Sequence, residues 1–182
     1  MAKCYNSSEI HKLNKRKIFF DANILLYIFW STSSYSLGKQ YSVIFNLILK
    51  QKNEMFVDFI VISEVVNRAV RIEHEKYLQQ QNISRDKLPF KQYRGSQEGL
   101  EALKDIYQVV KGKIINKFGI SGKAFSKPDI ESFLQLDLLD FSDKGIVSLC
   151  KENNFVLLTN DKDFAYTDLE ILTSNPVLLG SP

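Results

Sequence analysis

The chain has 182 residues, 45% of them apolar and 25% charged, a composition typical of one globular domain with a core of ordinary size. Two cysteines, Cys4 and Cys150, are too few for a disulfide scaffold and fit no zinc-binding spacing. The longest apolar stretch, residues 18–30, is too short to span a bilayer, and the polar N-terminus lacks the apolar core of a signal peptide. We therefore expect a single domain over residues 1–182, in a reducing, cytoplasmic setting without a membrane.

The formal net charge of +3 is small, but the charges are unevenly distributed. Residues 1–17 contain five Lys or Arg and one Glu, whereas residues 128–170 contain ten Asp or Glu and three Lys. A cation would neutralise such an acidic region, and basic flanks could then hold an anionic polymer.

The first predicted strand, residues 17–20, stops at Asp21, and residues 22–30 have the pattern of a helix. At such a junction the carboxylate of Asp21 could serve only as a helix N-cap, and Asn23 could be only a turn residue. A stripe of apolar residues predicts a second helix over residues 35–52.

Residues 55–62 form a nearly continuous run of Val, Ile and Phe, which predicts a strand buried on both faces. Asp58 interrupts this strand without an evident role. Ser63 is a plausible cap for the next helix, which reaches about residue 80. Glu64 would then lie in the first helical turn, where its charge could interact only with the helix dipole.

Residues 82–94, which we call the basic segment, are predicted to form a loop because Asn and Pro break the helical pattern. Its cations alternate with Phe90 and Tyr93, a combination that suits phosphate contact and base stacking. The alternative is a solvated surface loop whose two aromatic rings fold onto the body of the protein. The candidate nucleic-acid-binding residues are Arg85, Lys87, Lys91 and Arg94.

Residues 96–115 carry an apolar stripe that predicts another helix, and Pro128 fits the first turn of a short one through residue 136. Ser142 can cap a further helix that ends near residue 154, which makes Asp143 a first-turn residue.

Two last strands are predicted over residues 155–158 and 169–172, separated by an acidic turn. The turn contains Thr159, Asp161 and Asp163. Strands that alternate with helices imply a parallel sheet between helical layers, joined by right-handed crossovers.

Four acids lie where a strand ends or a helix begins: Asp21, Glu64, Asp143 and Asp161. The carboxyl ends of parallel strands share one rim, so acids distant in sequence become neighbours there. Packed carboxylates repel one another, and a divalent cation such as Mg²⁺ or Mn²⁺, which prefers oxygen ligands, relieves that repulsion. Phosphodiester hydrolysis suits such a site, because it needs neither a histidine nor a covalent nucleophile.

The residues around these four acids resemble the motifs of PIN-domain ribonucleases in order and spacing. The matching runs are residues 20–26, 62–65, 143–150 and 158–164. The resemblance covers about residues 16–173, and residues 73–126 form a helical and loop elaboration that is longer than in compact toxins of the family.

This resemblance implies a Rossmann-like three-layer α/β/α sandwich with a central, mainly parallel sheet, and Mg²⁺- or Mn²⁺-dependent cleavage of RNA. It implies metal-binding and catalytic roles for the four acids, with Asp140 as the reserve for Asp143 because Asp137, Asp140 and Asp143 are evenly spaced. The residues it assigns to a supporting role are Asn23, Thr159 and Asp163.

Partners also follow from the resemblance, since many bacterial members are toxins of the VapC type with an antitoxin whose tail enters the cleft, and many form homodimers. Two alternatives stay open. One is a catalytically inert PIN-fold module that binds RNA or protein, and the other is a structure-specific DNA nuclease.

Overall fold

The computed structural model describes residues 1–30 and 35–180. Within these ranges the strands are β1 (Lys3–Tyr5), β2 (Ile18–Phe20), β3 (Met55–Val57), β4 (Gly119–Ile120), β5 (Val156–Leu158) and β6 (Glu170–Leu172). All of them run parallel in one sheet, in the order β1-β6-β5-β2-β3-β4. The two strands that lead into the predicted acidic residues, β2 and β5, are therefore central neighbours.

The α-helices of the described chain are α1 (Ala22–Phe29), α2 (Tyr35–Gln51), α3 (Phe59–Gln81), α4 (Phe90–Gly95), α5 (Gln97–Val109), α6 (Lys127–Phe133) and α7 (Phe141–Asn153). Short 3-10 helices span Ser7–Leu13 and Lys162–Tyr166, and α5 continues into a π-helix over Val110–Ile115. Helices cover both faces of the parallel sheet, which confirms the predicted three-layer α/β fold. In the described ranges no helix is long and apolar enough to cross a membrane.

The centre of the core lies at β2 and β5, whose six side chains are all 0% exposed. Phe20 is in register with Leu158, so the two strands end at the same level of the sheet. Asp21 and Thr159 therefore emerge next to each other at the carboxyl end of the sheet.

The strand predicted over residues 55–62 is wrong in its second half, because β3 ends at Val57 and α3 begins at Phe59. Asp58 caps α3, since its carboxylate accepts a hydrogen bond from the Val61 N–H at 2.7 Å. A short apolar run cannot be assigned to strand or helix by periodicity alone, and here the buried cap ends the strand.

The N-caps of α3 and α7 were also predicted too far along the chain. Ser63 lies inside α3 and does not cap it, so Glu64 belongs to the second turn and the predicted first-turn dipole role is wrong. Asp140, rather than Ser142, caps α7, because Asp140 accepts the Asp143 N–H at 2.9 Å. Asp143 nevertheless lies in the first turn, as predicted.

Strand β1 was not predicted, although it forms an edge of the sheet. Glu170 of β6 fixes it by accepting a hydrogen bond from the Tyr5 hydroxyl at 2.6 Å and by pairing with Lys3 at 3.2 Å. Arg16 also pairs with Glu170, at 2.5 Å. Three residues are too few to show a strand period, so this pairing leaves no local signal in the sequence.

Candidate active site

Asp21 is the most buried acid of the predicted site, with 5% of its surface exposed. It occupies the N-cap position of α1, but its side chain makes no capping bond to that helix. Its Oδ2 instead accepts hydrogen bonds from Asn23 Nδ2 at 2.6 Å and from Thr159 Oγ1 at 2.5 Å. The carboxylate is therefore held by two side chains to which the resemblance assigned a supporting role, and the alternative of a simple N-cap does not describe it.

Burial raises the pKa of Asp21 to about 6, against the hydrogen bond from Thr159, which lowers it. The negative charges of Glu64 and Asp161 raise it further. The ionised form of Asp21 is thus destabilised by both dehydration and like charge.

The turn after β5 is bonded to the same carboxylate. Thr159 Oγ1 donates to Asp21 and accepts the Asp161 N–H at 3.0 Å, while Asn23 Oδ1 accepts the Asn160 N–H at 3.4 Å. Asp161 Oδ1 in turn accepts the Asp163 N–H at 3.0 Å. These bonds fix the backbone around Asp161 relative to Asp21.

Asp143 approaches this group from the first turn of α7. Its pKa is raised to about 8, first by burial and then by the charges of neighbouring carboxylates. In decreasing order of effect these are Asp140, Asp21, Asp161 and Glu64. The negative charges of Asp21, Asp161 and Glu64 thus all act on Asp143.

Glu64 and Asp140 lie on one side of this group, at a cavity of about 410 Å³. Glu64 pairs with Arg68 at 3.0 Å, and both side chains of this pair are more than a third exposed. Asp140 Oδ1 accepts two hydrogen bonds, one from the Ser142 hydroxyl at 2.8 Å and one from the Asp143 N–H. Because capping occupies Asp140, Asp143 is the better placed of the two to bind a ligand.

The donors are those a divalent cation prefers, since the group offers carboxylate oxygens and a hydroxyl. As placed in residues 1–30 and 35–180, no three His, Cys, Asp or Glu side chains stand close enough together to hold a metal ion. Glu64 would have to leave Arg68 to join such a site, and a partly exposed pair of this kind stabilises a protein by at most about 1 kcal/mol. The residues therefore fit a cation in the chemistry of their donors, and its binding requires that the side chains rearrange.

Asp163 was predicted to support the acids, and its backbone N–H does contact Asp161. Its side chain is exposed and lines a neighbouring cavity together with residues 136–139. The carboxylate of Asp163 thus faces a different part of the surface from the carboxylate of Asp21.

Two residues that hold the site were missed from the sequence. Tyr41, 0% exposed, donates its hydroxyl to Asn160 Oδ1 at 2.8 Å, and Asn175 Nδ2 donates to the Asn160 carbonyl at 2.6 Å. Tyr41 belongs to the apolar stripe of α2, so its pattern indicates core packing and gives no signal of this bond. Together these bonds position Asn160, which contacts Asn23 in the site.

The basic segment differs from the prediction, because residues 90–95 form α4 and are not a loop. Tyr93 is 2% exposed and stacks on His74 with 4.7 Å between ring centroids. The Arg71 guanidinium lies over the Phe90 ring at 4.3 Å. The predicted base stacking is therefore wrong for Tyr93, whose ring folds onto the body of the protein, and stays a prediction for the half-buried Phe90.

The cations of the basic segment are exposed but lie away from the acids. His74 contacts the Leu88 carbonyl at 2.9 Å, which attaches the segment to the C-terminal half of α3. Ten helical residues separate His74 from Glu64, a rise of about 15 Å. Arg85 is paired with Glu75 at 2.7 Å. An RNA substrate would therefore have to be extended to contact both the basic segment and the acids.

Three comparisons with known proteins were made. A family model described as PIN domain matches residues 18–169. No curated protein matches the chain. Among solved structures, the crystal structure of PAE2754 from Pyrobaculum aerophilum is similar over 91% of this chain and 89% of that chain, with 13% sequence identity and a TM-score of 0.45. That likeness is too distant to bear on function.

Proposed function

This chain belongs to the PIN domain family, and we propose on that basis that it is a metal-dependent endoribonuclease that hydrolyses RNA phosphodiester bonds. PIN domains are generally nucleases. The observation that carries the proposal is the group of acids where β2 and β5 end and α7 begins, since burial first and then the charges of Asp140, Asp21, Asp161 and Glu64 raise the pKa of Asp143 to about 8. Negative charge concentrated in this way favours the binding of a cation.

In this proposal Asp21, Asp143 and Asp161 hold Mg²⁺ or Mn²⁺. When bound, such a cation supplies a water of lowered pKa and neutralises charge on the phosphodiester. The substrate is an anionic polymer, so an unneutralised acidic group would repel it.

The residues of the chain then have separate tasks. Asn23 and Thr159 both donate to Oδ2 of Asp21 and so fix the orientation of the carboxylate that would hold the cation. Glu64 is partly exposed, so it can turn from Arg68 to join the ligands or to orient the attacking water. The Asp163 N–H orients the Asp161 carboxylate.

Cleavage of a fluorescent single-stranded RNA in Mg²⁺, Mn²⁺ and EDTA tests the proposal. Asp21→Asn and Asp161→Asn should abolish cleavage while leaving the circular dichroism spectrum unchanged, and Asp105→Asn, an exposed position of α5, is the matched control. Cleavage by Asp161→Asn at the wild-type rate would show that this residue is not a ligand.

One further substrate, a measurement of Mn²⁺ binding and two further variants separate the alternatives. A DNA strand of the same sequence at the same salt identifies a DNA nuclease, because salt alone changes the affinity of any nucleic-acid binder. Failure of both cleavage and Mn²⁺ binding at millimolar metal favours the inert module. Asp143→Asn should be inactive and Asp140→Asn active if Asp143 is the third acid.

The remaining expectations from the sequence are part of the same proposal. They are a VapC-type toxin role with a cognate antitoxin, a homodimeric state and a single domain over residues 1–182. A small DNA-binding antitoxin in the neighbouring reading frame would support the toxin role, and sedimentation velocity measures the oligomeric state.

A further inference from the structure

A second cavity, of about 580 Å³, lies beside the proposed active site and has no part in the mechanism above. Its walls are residues 136–139, Asp163, Tyr166 and Thr167. The backbone N–H of Asp163 donates to the carboxylate of Asp161 at 3.0 Å. A group that contacts Asp163 in this cavity would therefore lie next to Asp161, a proposed metal ligand.

The cavity is unusually apolar for an exposed surface. Leu136 is 102% exposed, Leu138 is 67% exposed and Tyr166 is 69% exposed. Exposed apolar side chains that are grouped next to a functional site are typical of a binding surface.

These leucines belong to a loop that Lys144 anchors. The ammonium group of Lys144 lies 3.1 Å from Asp137 Oδ2, donates to the Phe133 carbonyl at 3.0 Å and donates also to the Gln135 carbonyl. Only 9% of the Lys144 side chain is exposed. These bonds from Lys144 fix the loop in a conformation in which Leu136 and Leu138 are exposed to solvent. The cavity is therefore present before a ligand binds.

The polar groups of the cavity restrict what it can bind. The Asp137 carboxylate is occupied by Lys144 and by the Leu139 N–H at 2.9 Å. The Thr167 hydroxyl donates to the Phe164 carbonyl at 2.8 Å. Across the described residues, the Asp163 carboxylate makes no hydrogen bond or ion pair, and no Lys or Arg lines the cavity. The cavity therefore offers an aromatic ring, apolar walls and one free carboxylate, which suits a neutral planar group with N–H donors and not a phosphate.

We propose that this cavity binds an unpaired guanine of the RNA substrate, an inference that rests on the proposed ribonuclease function. The base stacks on Tyr166, and its N1–H and N2 amine donate to the two carboxylate oxygens of Asp163. Unpaired RNA bases are commonly recognised through stacking and through their Watson–Crick edges.

Guanine is the RNA base with two adjacent donors on that edge, which a carboxylate accepts as a pair. Adenine and cytosine place a ring acceptor beside their single amine, and that acceptor would face an Asp163 oxygen. In uracil the ring N–H lies between two carbonyl acceptors.

Binding to short oligonucleotides in Ca²⁺, an oxygen-binding cation that neutralises the neighbouring acids, tests this proposal through affinity and not through cleavage. The probes are fluorescent oligouridylates that carry one guanosine, one inosine, which lacks the N2 amine, or one adenosine. Fluorescence anisotropy should show that the wild-type protein binds the guanosine probe about fivefold to a hundredfold more tightly than the inosine probe.

Asp163→Asn should bind both probes about equally, because an amide presents only one acceptor. Its backbone N–H still contacts Asp161, so the neighbouring site is preserved. Asp105→Asn, the matched exposed control, should keep the wild-type preference. Tyr166→Ala should weaken binding of all probes.

The proposal is overturned if the wild-type protein does not distinguish guanosine from inosine, or if Asp163→Asn keeps the distinction. Cleavage of RNA together with base-independent binding would refute the guanine pocket alone, whereas base-dependent binding without cleavage would refute the proposed function alone.

The alternative to RNA is that a second copy of the chain packs against the exposed leucines of the cavity. Sedimentation velocity of the wild-type protein and Leu138→Ser decides between them. If the wild-type protein self-associates without a guanosine preference and Leu138→Ser is monomeric, the surface is a subunit interface and the proposal is overturned.

Discussion

Replacement of Asp21 by Asn should stabilise the metal-free protein at alkaline pH. Burial above all raises the pKa of Asp21 from 3.8 to about 6. Between those pH values the folded protein keeps a proton that the unfolded chain has lost, so the free energy of unfolding falls as pH rises through this window and levels off above it. A difference of about two pH units corresponds to about 3 kcal/mol.

The asparagine variant avoids this loss, since its amide does not ionise. The amide oxygen can still accept the bonds from Asn23 and Thr159, but the amide nitrogen cannot accept any. We therefore expect the variant to be more stable than the wild-type protein by about 1–3 kcal/mol at pH 8, and by less than about 1 kcal/mol at pH 4.

Urea denaturation in EDTA, followed by circular dichroism at pH 4 and pH 8, measures both differences, with Asp105→Asn as the control for loss of a surface charge. Addition of Mn²⁺ at pH 8 should then stabilise the wild-type protein and leave Asp21→Asn unchanged. A variant that is less stable than the wild-type protein at pH 8, or equally stabilised at both pH values, would refute the buried-charge reasoning.

Three further changes test other parts of the structure. Asp58→Ala should lower the free energy of unfolding by about 1–2 kcal/mol because it removes the cap of α3, whereas Ser63→Ala should change it by less than about 0.5 kcal/mol; equal losses in urea would contradict the assigned cap. Lys144→Met should speed amide hydrogen exchange over residues 133–139, and unaltered exchange would show that the lysine does not anchor the loop. Alanine at the four cations of the basic segment should weaken RNA binding and flatten its salt dependence, while an unchanged slope would leave the segment as surface alone.

Long and strongly patterned parts of the fold could be predicted from the sequence. The apolar runs of β2 and β5 and the stripes of α2 and α7 all lie within about two residues of their predicted positions. The boundary between β3 and α3 was misplaced because an apolar run has the same appearance in a buried strand and in a first helical turn. Asp58 marks this boundary, since it caps α3. In the sequence, however, a carboxylate that interrupts an apolar run can be recognised as a cap only once the helix is known.

Convergence of the acids followed from topology, because β2 and β5 are parallel and end at one level. Their role in binding metal stays a prediction. The bond from Tyr41 to Asn160 could not be anticipated, since it joins positions 119 residues apart and Tyr41 lies outside the matching motifs. The burial of Tyr93 could not be predicted, because composition does not show whether a ring is covered, and His74 of α3 stacks on it.

Calorimetric titration of the metal-free protein with Mn²⁺ tests most directly whether separate stretches of the chain form one cation site. The wild-type protein should bind Mn²⁺ with release of protons near neutral pH, because the pKa of Asp143 is about 8 before a cation binds. Asp21→Asn, Asp143→Asn and Asp161→Asn should each lose most of that binding. Wild-type affinity in all three variants would contradict a shared site.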